Sequence, residues 1–159
     1  MPTILIAGAT GLVGRAAVRL AARDRRFTGV FALVRRPVTF DDGAGRVEVR
    51  LVDWDGLESS PEACQADVIL CALGTTMRDA GSREAFRRVD HDYVLTLARV
   101  GLSQGATHFL LVSAVGADAG SRIFYNQVKG EVEAEVAGLG YAGVTVARPS
   151  ILLGERREP

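Results

Sequence analysis

The stretch "TILIAGATGLVGR" (residues 3–15) joins a short apolar run to glycines at 8, 11 and 14 and then to a segment of helical period. Its first half is apolar at consecutive positions, which predicts a strand covered on both faces, as in a parallel sheet between helices. The glycines predict a tight strand-to-helix turn whose backbone N–H groups, with the positive end of the helix, approach a pyrophosphate without interference from a Cβ. The spacing is Gly-x-x-Gly-x-x-Gly, and taken alone it also fits a plain tight turn.

Working outward, "VFALVR" (30–35), "VEVRLVD" (47–53), "DVILCAL" (67–73), "HFLLVSA" (108–114) and "GVTVARP" (143–149) are similar compact runs rich in branched residues and predict five more strands. Segments 12–23, 82–103 and 121–138 carry apolar residues three or four apart, among them Phe86, Val89, Tyr93, Leu97 and Val100, and predict helices. The alternation predicts an α/β fold, a doubly wound parallel sheet of the Rossmann type with about six strands and helices on both faces. No internal repeat or low-complexity tract interrupts it, so residues 1–159 are expected to form a single nucleotide-binding domain.

Composition narrows the partners. Nineteen acidic residues balance nineteen basic ones, which leaves no electrostatic footprint for nucleic acid or an anionic membrane. Cys64 and Cys71 lack metal-ligand spacing, and His91 and His108 stand far apart, so no metal site is expected and the histidines read as solvent-facing or hydrogen-bonded. Reduced cysteines and the lack of a signal-like N-terminus suggest a cytoplasmic protein. Arg83, Arg87 and Arg88 read as a solvated helix face, and the charged outer faces of the long helices leave monomer and homodimer both open.

The second strand ends in "VRRP", placing Arg35 and Arg36 where NAD-binding units usually carry an acid for the ribose 2′-hydroxyl. The missing acid, as much as the arginines, favours NADP(H) over NAD(H), since a 2′-phosphate is attracted by guanidinium. Asp53 either accepts from the adenine amino group or caps a helix, and Trp54 either covers the adenine or packs in the core. Gly74, after Ala72 and Leu73, permits close approach of a ligand at the carboxyl edge of the sheet. Thr10, Leu12 and Val13 in the glycine turn and Pro149 after the last strand complete the expected cofactor contacts.

The chain has eighteen arginines and a single lysine, Lys129 in "YNQVK". Lys129 follows Tyr125 by four residues on a predicted helix, so the two side chains share a face one turn apart. A lysine placed at random would fall four after one of the three tyrosines only about 2% of the time. Phenols are poor acid–base groups at neutral pH, and a compact ammonium nearby favours the phenolate. The plainer alternative is a solvated lysine with Glu133, four residues on, as a surface ion-pair partner. Ser113, ending the fifth strand twelve residues before Tyr125, is placed to hydrogen-bond a substrate carbonyl.

With glycines 8, 11 and 14, the Ser113, Tyr125 and Lys129 set and the closing "RPSILLGER", the chain resembles the atypical short-chain dehydrogenase/reductases. The segments "CALGTTMRDAGSREAFRRVDHDYVLTLAR" and "SAVGADAGSRIFYNQVKGEVEAEV" are similar to the Tat-interacting-protein-like (CC3-type) oxidoreductases, which bind NADPH. The resemblance implies Tyr125 as general acid–base, Lys129 on the nicotinamide ribose and Ser113 orienting the carbonyl, with hydride passing between nicotinamide and a small carbonyl or alcohol. Two departures stand out. Asp90 occupies the place where many superfamily members use an asparagine to support the lysine through water, and only ten residues follow Pro149, so the substrate-binding segment is expected to be absent or truncated. A cofactor-binding regulatory or interaction module without turnover is the alternative of a different class, and an epimerase is disfavoured by the missing substrate region.

Overall fold

The computed structural model describes residues 1–41, 43 and 45–154. Six strands, β1 (Thr3–Ala7), β2 (Gly29–Val34), β3 (Val47–Leu51), β4 (Val68–Cys71), β5 (His108–Val112) and β6 (Gly143–Ala147), pair in parallel in the order β3-β2-β1-β4-β5-β6. The order reverses direction between β1 and β4, the place where open α/β sheets form a crevice.

Period two sorts β1 between the two layers. Leu5 and Ala7 join Leu33, Ile69, Phe109 and Val132 in one core cluster, while Ile4 and Ile6 join Val18, Val30, Ala32 and Val34 in the other. Helix α1 (Leu12–Arg23) supplies Val18 and Ala21 to one layer. Helices α4 (Tyr93–Ser103) and α5 (Phe124–Ala137) supply Val94, Leu97, Val132 and Val136 to the other. Short helices α2 (Met77–Ala80) and α3 (Arg83–Arg87) lie between β4 and α4, capped by the Thr76 and Ser82 hydroxyls, which accept from the N–H groups of Asp79 and Ala85.

Every strand but β2 is shorter than its apolar run, and β2 is shifted one residue toward the N-terminus. Ala72, Val52 and Ser113 still donate their N–H groups to Ala7, Val34 and Ala147 (2.8–2.9 Å), but the chain then leaves the sheet. The expected helix over 82–103 is α3 and α4 joined by a π-helical turn at Arg88–Asp92. That over 121–138 starts later, at Phe124, because Asp118 and Ser121 hold the preceding chain in turns by accepting from Gly120 and Ile123 N–H.

Two close approaches fix the layers. A Cβ on Gly14 would lie 2.0 Å from the Gly8 carbonyl oxygen, so α1 rests directly on the turn, where Gly8 has φ +72°. In α5 a Cβ on Gly130 would lie 2.1 Å from the Ala119 nitrogen, so the loop after β5 rests on the helix backbone. Replacing Gly14 by Ala must push α1 off the turn; a loss of about 1–3 kcal/mol, read as a Tm lower by about 2–4 °C per kcal/mol in thermal denaturation, is expected.

Candidate cofactor and acid–base site

The turn after β1 is closed by Gly11 N–H donating to the Gly8 carbonyl (3.1 Å) and by Arg15 Nε donating to the Thr10 carbonyl (2.7 Å). Helix α1 then starts after Gly11, its N-cap, with no side-chain cap and no acid in its first turn. Its leading N–H groups are thus not met by a side chain of their own helix, and Leu12 and Val13 present backbone rather than charge: the chemistry of an anion cradle. Gly8 also faces the end of β4, where a Cβ would lie 2.4 Å from the Ala72 carbonyl oxygen, so residues 72–74 pass along the same crevice.

Beyond β2 and β3 a cleft of about 370 Å³ is lined by Arg35, Val52, Asp53, Trp54, Asp55 and Tyr93. Arg35 and Arg36 are exposed, and Arg35 alone of the two lines the cleft. Asp53 caps the 3-10 turn Trp54–Ser59 by accepting from Asp55 N–H at 3.1 Å. Trp54 is half-buried and stacks on Tyr93, ring centres 5.9 Å apart, with the Tyr93 hydroxyl donating to Asp55 at 2.7 Å. The arginines read as a solvated face are engaged: Arg88 pairs with Asp55 and Arg87 with Glu131, both at 2.6 Å, while Arg83 lies over the Phe124 ring.

On α5, Lys129 is buried and does not pair with Glu133. Its ammonium lies 2.7 Å from Asp90 Oδ1, with side-chain exposures of 7% and 0%. Asp90 Oδ2 accepts from Thr75 N–H at 2.9 Å. Burial pushes the Asp90 carboxyl above its ordinary value, and the Lys129 ammonium and Thr75 N–H offset only part of this. The half-buried Tyr125 ring stands 5.8 Å from the ammonium and packs against Phe86 at 5.4 Å. Gly74 closes over the pair, a Cβ there lying 3.4 Å from Asp90 Oδ1 and 3.8 Å from Nζ. Cys71, beneath them, is pushed by burial up to about 12 and is an inert thiol.

Ser113 is buried at the end of β5. Among the described residues none meets hydrogen-bond geometry with its hydroxyl, although it lies close enough to Glu133 to help hold that carboxyl low. Burial alone would raise Glu133; the Arg148 guanidinium, donating at 2.5 and 3.1 Å, then Ser113 and Lys129 outweigh it and leave the group below its ordinary value. Pro149 lies beside this cluster, its carbonyl accepting from Val115 N–H at 3.0 Å. His91 is buried between carboxylates, Nδ1 on Asp92 and Nε2 on Glu135, each at 2.8 Å. The Glu133–Arg148 pair and the Thr75 amide are not visible as site features in the sequence. Fifteen residues separate Glu133 from Arg148, and only the return of β6 beside β5 brings them together.

A family model described as NAD(P)H-binding matches residues 8–139, from the glycine turn through α5. The chain is an atypical short-chain dehydrogenase/reductase of the HTATIP2 type. It is 40% identical to protein HTATIP2 of Rattus norvegicus over 98% of its own length, and 38% identical to the mitochondrial protein FMP52 of Eremothecium gossypii over 96%. It spans 65% and 67% of those proteins, about two thirds of the curated relatives it matches. The fold is shared with a short-chain dehydrogenase/reductase of Saccharomyces cerevisiae (TM-score 0.76, 12% identical, 96% of this chain and 71% of that one). It is shared too with a superfamily protein of Agrobacterium tumefaciens solved with bound NAD (TM-score 0.72, 19% identical, 92% and 48%).

These relatives overturn the expected cytoplasmic location. FMP52 proteins of several yeasts, including Candida albicans and Saccharomyces cerevisiae, are named mitochondrial, and buried free thiols fit any reducing compartment equally well. No helix among the described residues is long and apolar enough to cross a membrane.

The Glu133 carboxyl is held below its ordinary value of 4.5. The stability it adds is present above that value and is lost as pH falls through the lower, folded one. Glu133→Gln is therefore expected to lower Tm by about 2 °C near neutral pH, with the gap to the unmutated chain closing as a series of melts is carried below about pH 4.

Proposed function

We propose that this chain is an NADP(H)-dependent oxidoreductase that moves hydride between the nicotinamide and a small carbonyl or alcohol, with Tyr125 as the acid–base. The observation that carries the reading is the burial of the chain's single lysine one helical turn from Tyr125, with Ser113 buried at the neighbouring strand end. A solvated helix face has no reason to bury an ammonium, whose desolvation is costly.

The residues fit a dinucleotide. The uncapped start of α1 behind Gly8, Gly11 and Gly14 suits the pyrophosphate, with Thr10, Leu12 and Val13 offering backbone contacts. The cleft beside Trp54 suits the adenine end, where Arg35, with Arg36 next to it, is proposed to meet the 2′-phosphate. Asp53 already accepts from Asp55 N–H at 3.1 Å; its second oxygen is the one proposed for the adenine. Ala72, Leu73, Gly74 and Pro149 are proposed to meet the nicotinamide end. When bound, the nicotinamide supplies or accepts the hydride. Lys129 is proposed to hold its ribose, Ser113 to donate to the substrate oxygen, and Tyr125 to give or take the proton on that oxygen.

Calorimetric titration tests the cofactor. NADPH is expected to bind at least about tenfold more tightly than NADH, a difference of about 1.4 kcal/mol, and Arg35→Ala should erase most of it. Equal affinities would remove Arg35 from the reading. Tyr125→Phe should retain NADPH affinity and lose turnover of test carbonyls by about 100-fold or more. Turnover that survives this substitution would overturn the acid–base assignment.

A further inference from the structure

We propose that Asp90 is the positioning residue for Lys129, holding the ammonium by direct contact through a carboxylate that the π-helical turn rotates inward. The catalytic consequence rests on the Tyr125–Lys129 reading; the contact itself does not.

Three observations carry it. Asp90 is 1% exposed and sits in the middle of the π turn at Arg88–Asp92, beside the buried His91. Two adjacent polar residues pointing inward do not suit a regular α-helical stripe, and the widened turn allows both to reach α5, Asp90 to Lys129 and His91 to Glu135. Second, both Asp90 oxygens are engaged, Oδ1 in an ion pair with the Lys129 ammonium at 2.7 Å, outside hydrogen-bond geometry, and Oδ2 by accepting from Thr75 N–H. An asparagine has one acceptor oxygen and would turn its NH₂ toward one of these donors, so the geometry selects a carboxylate. Third, an isolated ammonium in so dry a place would be strongly disfavoured, whereas a carboxylate in contact compensates its charge. Tyr125 and Glu133 on α5 and Cys71 on β4 are the other titratable groups near the pair.

Asp90 does not reach the reacting atoms. By pairing with the ammonium at 2.7 Å, it fixes where Nζ sits, and loss of this constraint loosens Lys129 toward both the ribose and Tyr125.

The single lysine makes the test direct, because protein grown on [¹⁵N]lysine has one labelled side-chain nitrogen. The unmutated chain is expected to show one solvent-protected ammonium cross-peak at about pH 6, well below the ordinary lysine range. Asp90→Asn should lose that peak to exchange while the backbone amide spectrum persists, and should lower carbonyl turnover by up to about 100-fold. A protected peak that survives in Asp90→Asn overturns the proposal. If that variant does not fold, the unmutated chain decides alone: no protected ammonium there overturns it, and a hydrogen-bond scalar coupling between Nζ and the Asp90 carboxyl carbon supports it. A protein without turnover that retains the coupling would refute the proposed reaction and leave the contact standing.

Discussion

Because all six strands run in one direction, their carboxyl ends finish on one edge, and the chain must leave the sheet there six times. The sheet is covered on both faces by apolar helices, so that edge is where polar chemistry can be placed without cutting into a core. Gly8, Arg35, Asp53, Ala72, Ser113 and Arg148 all lie one or two residues past a strand end. The crevice between β1 and β4, where the winding reverses, gathers the glycine turn and the Ala72–Gly74 segment into one groove.

The charges around the site have named partners, and for Asp90 and Lys129 water is excluded as well. Asp90 faces Lys129, Glu133 faces Arg148, and Asp55 receives both Arg88 and the Tyr93 hydroxyl. The first two pairs join α5 to the π turn and to the residue after β6, and the third joins the π turn and α4 to the 3-10 turn that carries Trp54. Breaking one partner of a buried pair leaves an uncompensated charge, which costs more than the pair itself contributes. The arrangement therefore specifies geometry more than it adds stability.

The strand pattern, the glycine turn and the Tyr125–Lys129 spacing were legible in the sequence because each is local: period, turn chemistry and i,i+4 spacing act within a few residues. The partner of Lys129 was not. Glu133 is the neighbour that helical spacing offers, yet Asp90, thirty-nine positions away, takes the ammonium because a π turn rotates it inward, and no residue in "RRVDHDY" announces such a turn. The same holds for Arg88, which looks solvated along its own helix and meets Asp55 from another element. For Asp53 and Trp54 the sequence left two readings open, and the structure realises one of each, the cap and the packing against core and Tyr93, without removing either residue from the cleft.

The close approach at Gly130 bears on motion. The backbone of Asp118 and Ala119 sits against the helix one residue past Lys129, and Asp118 N–H donates to the Asn126 carbonyl, one residue past Tyr125. The loop that follows Ser113 and the helix that carries Tyr125 and Lys129 are thereby keyed together like two teeth of a ratchet: α5 cannot slide along its axis or roll without lifting the loop. Serine, tyrosine and lysine are consequently tied into one block through that loop.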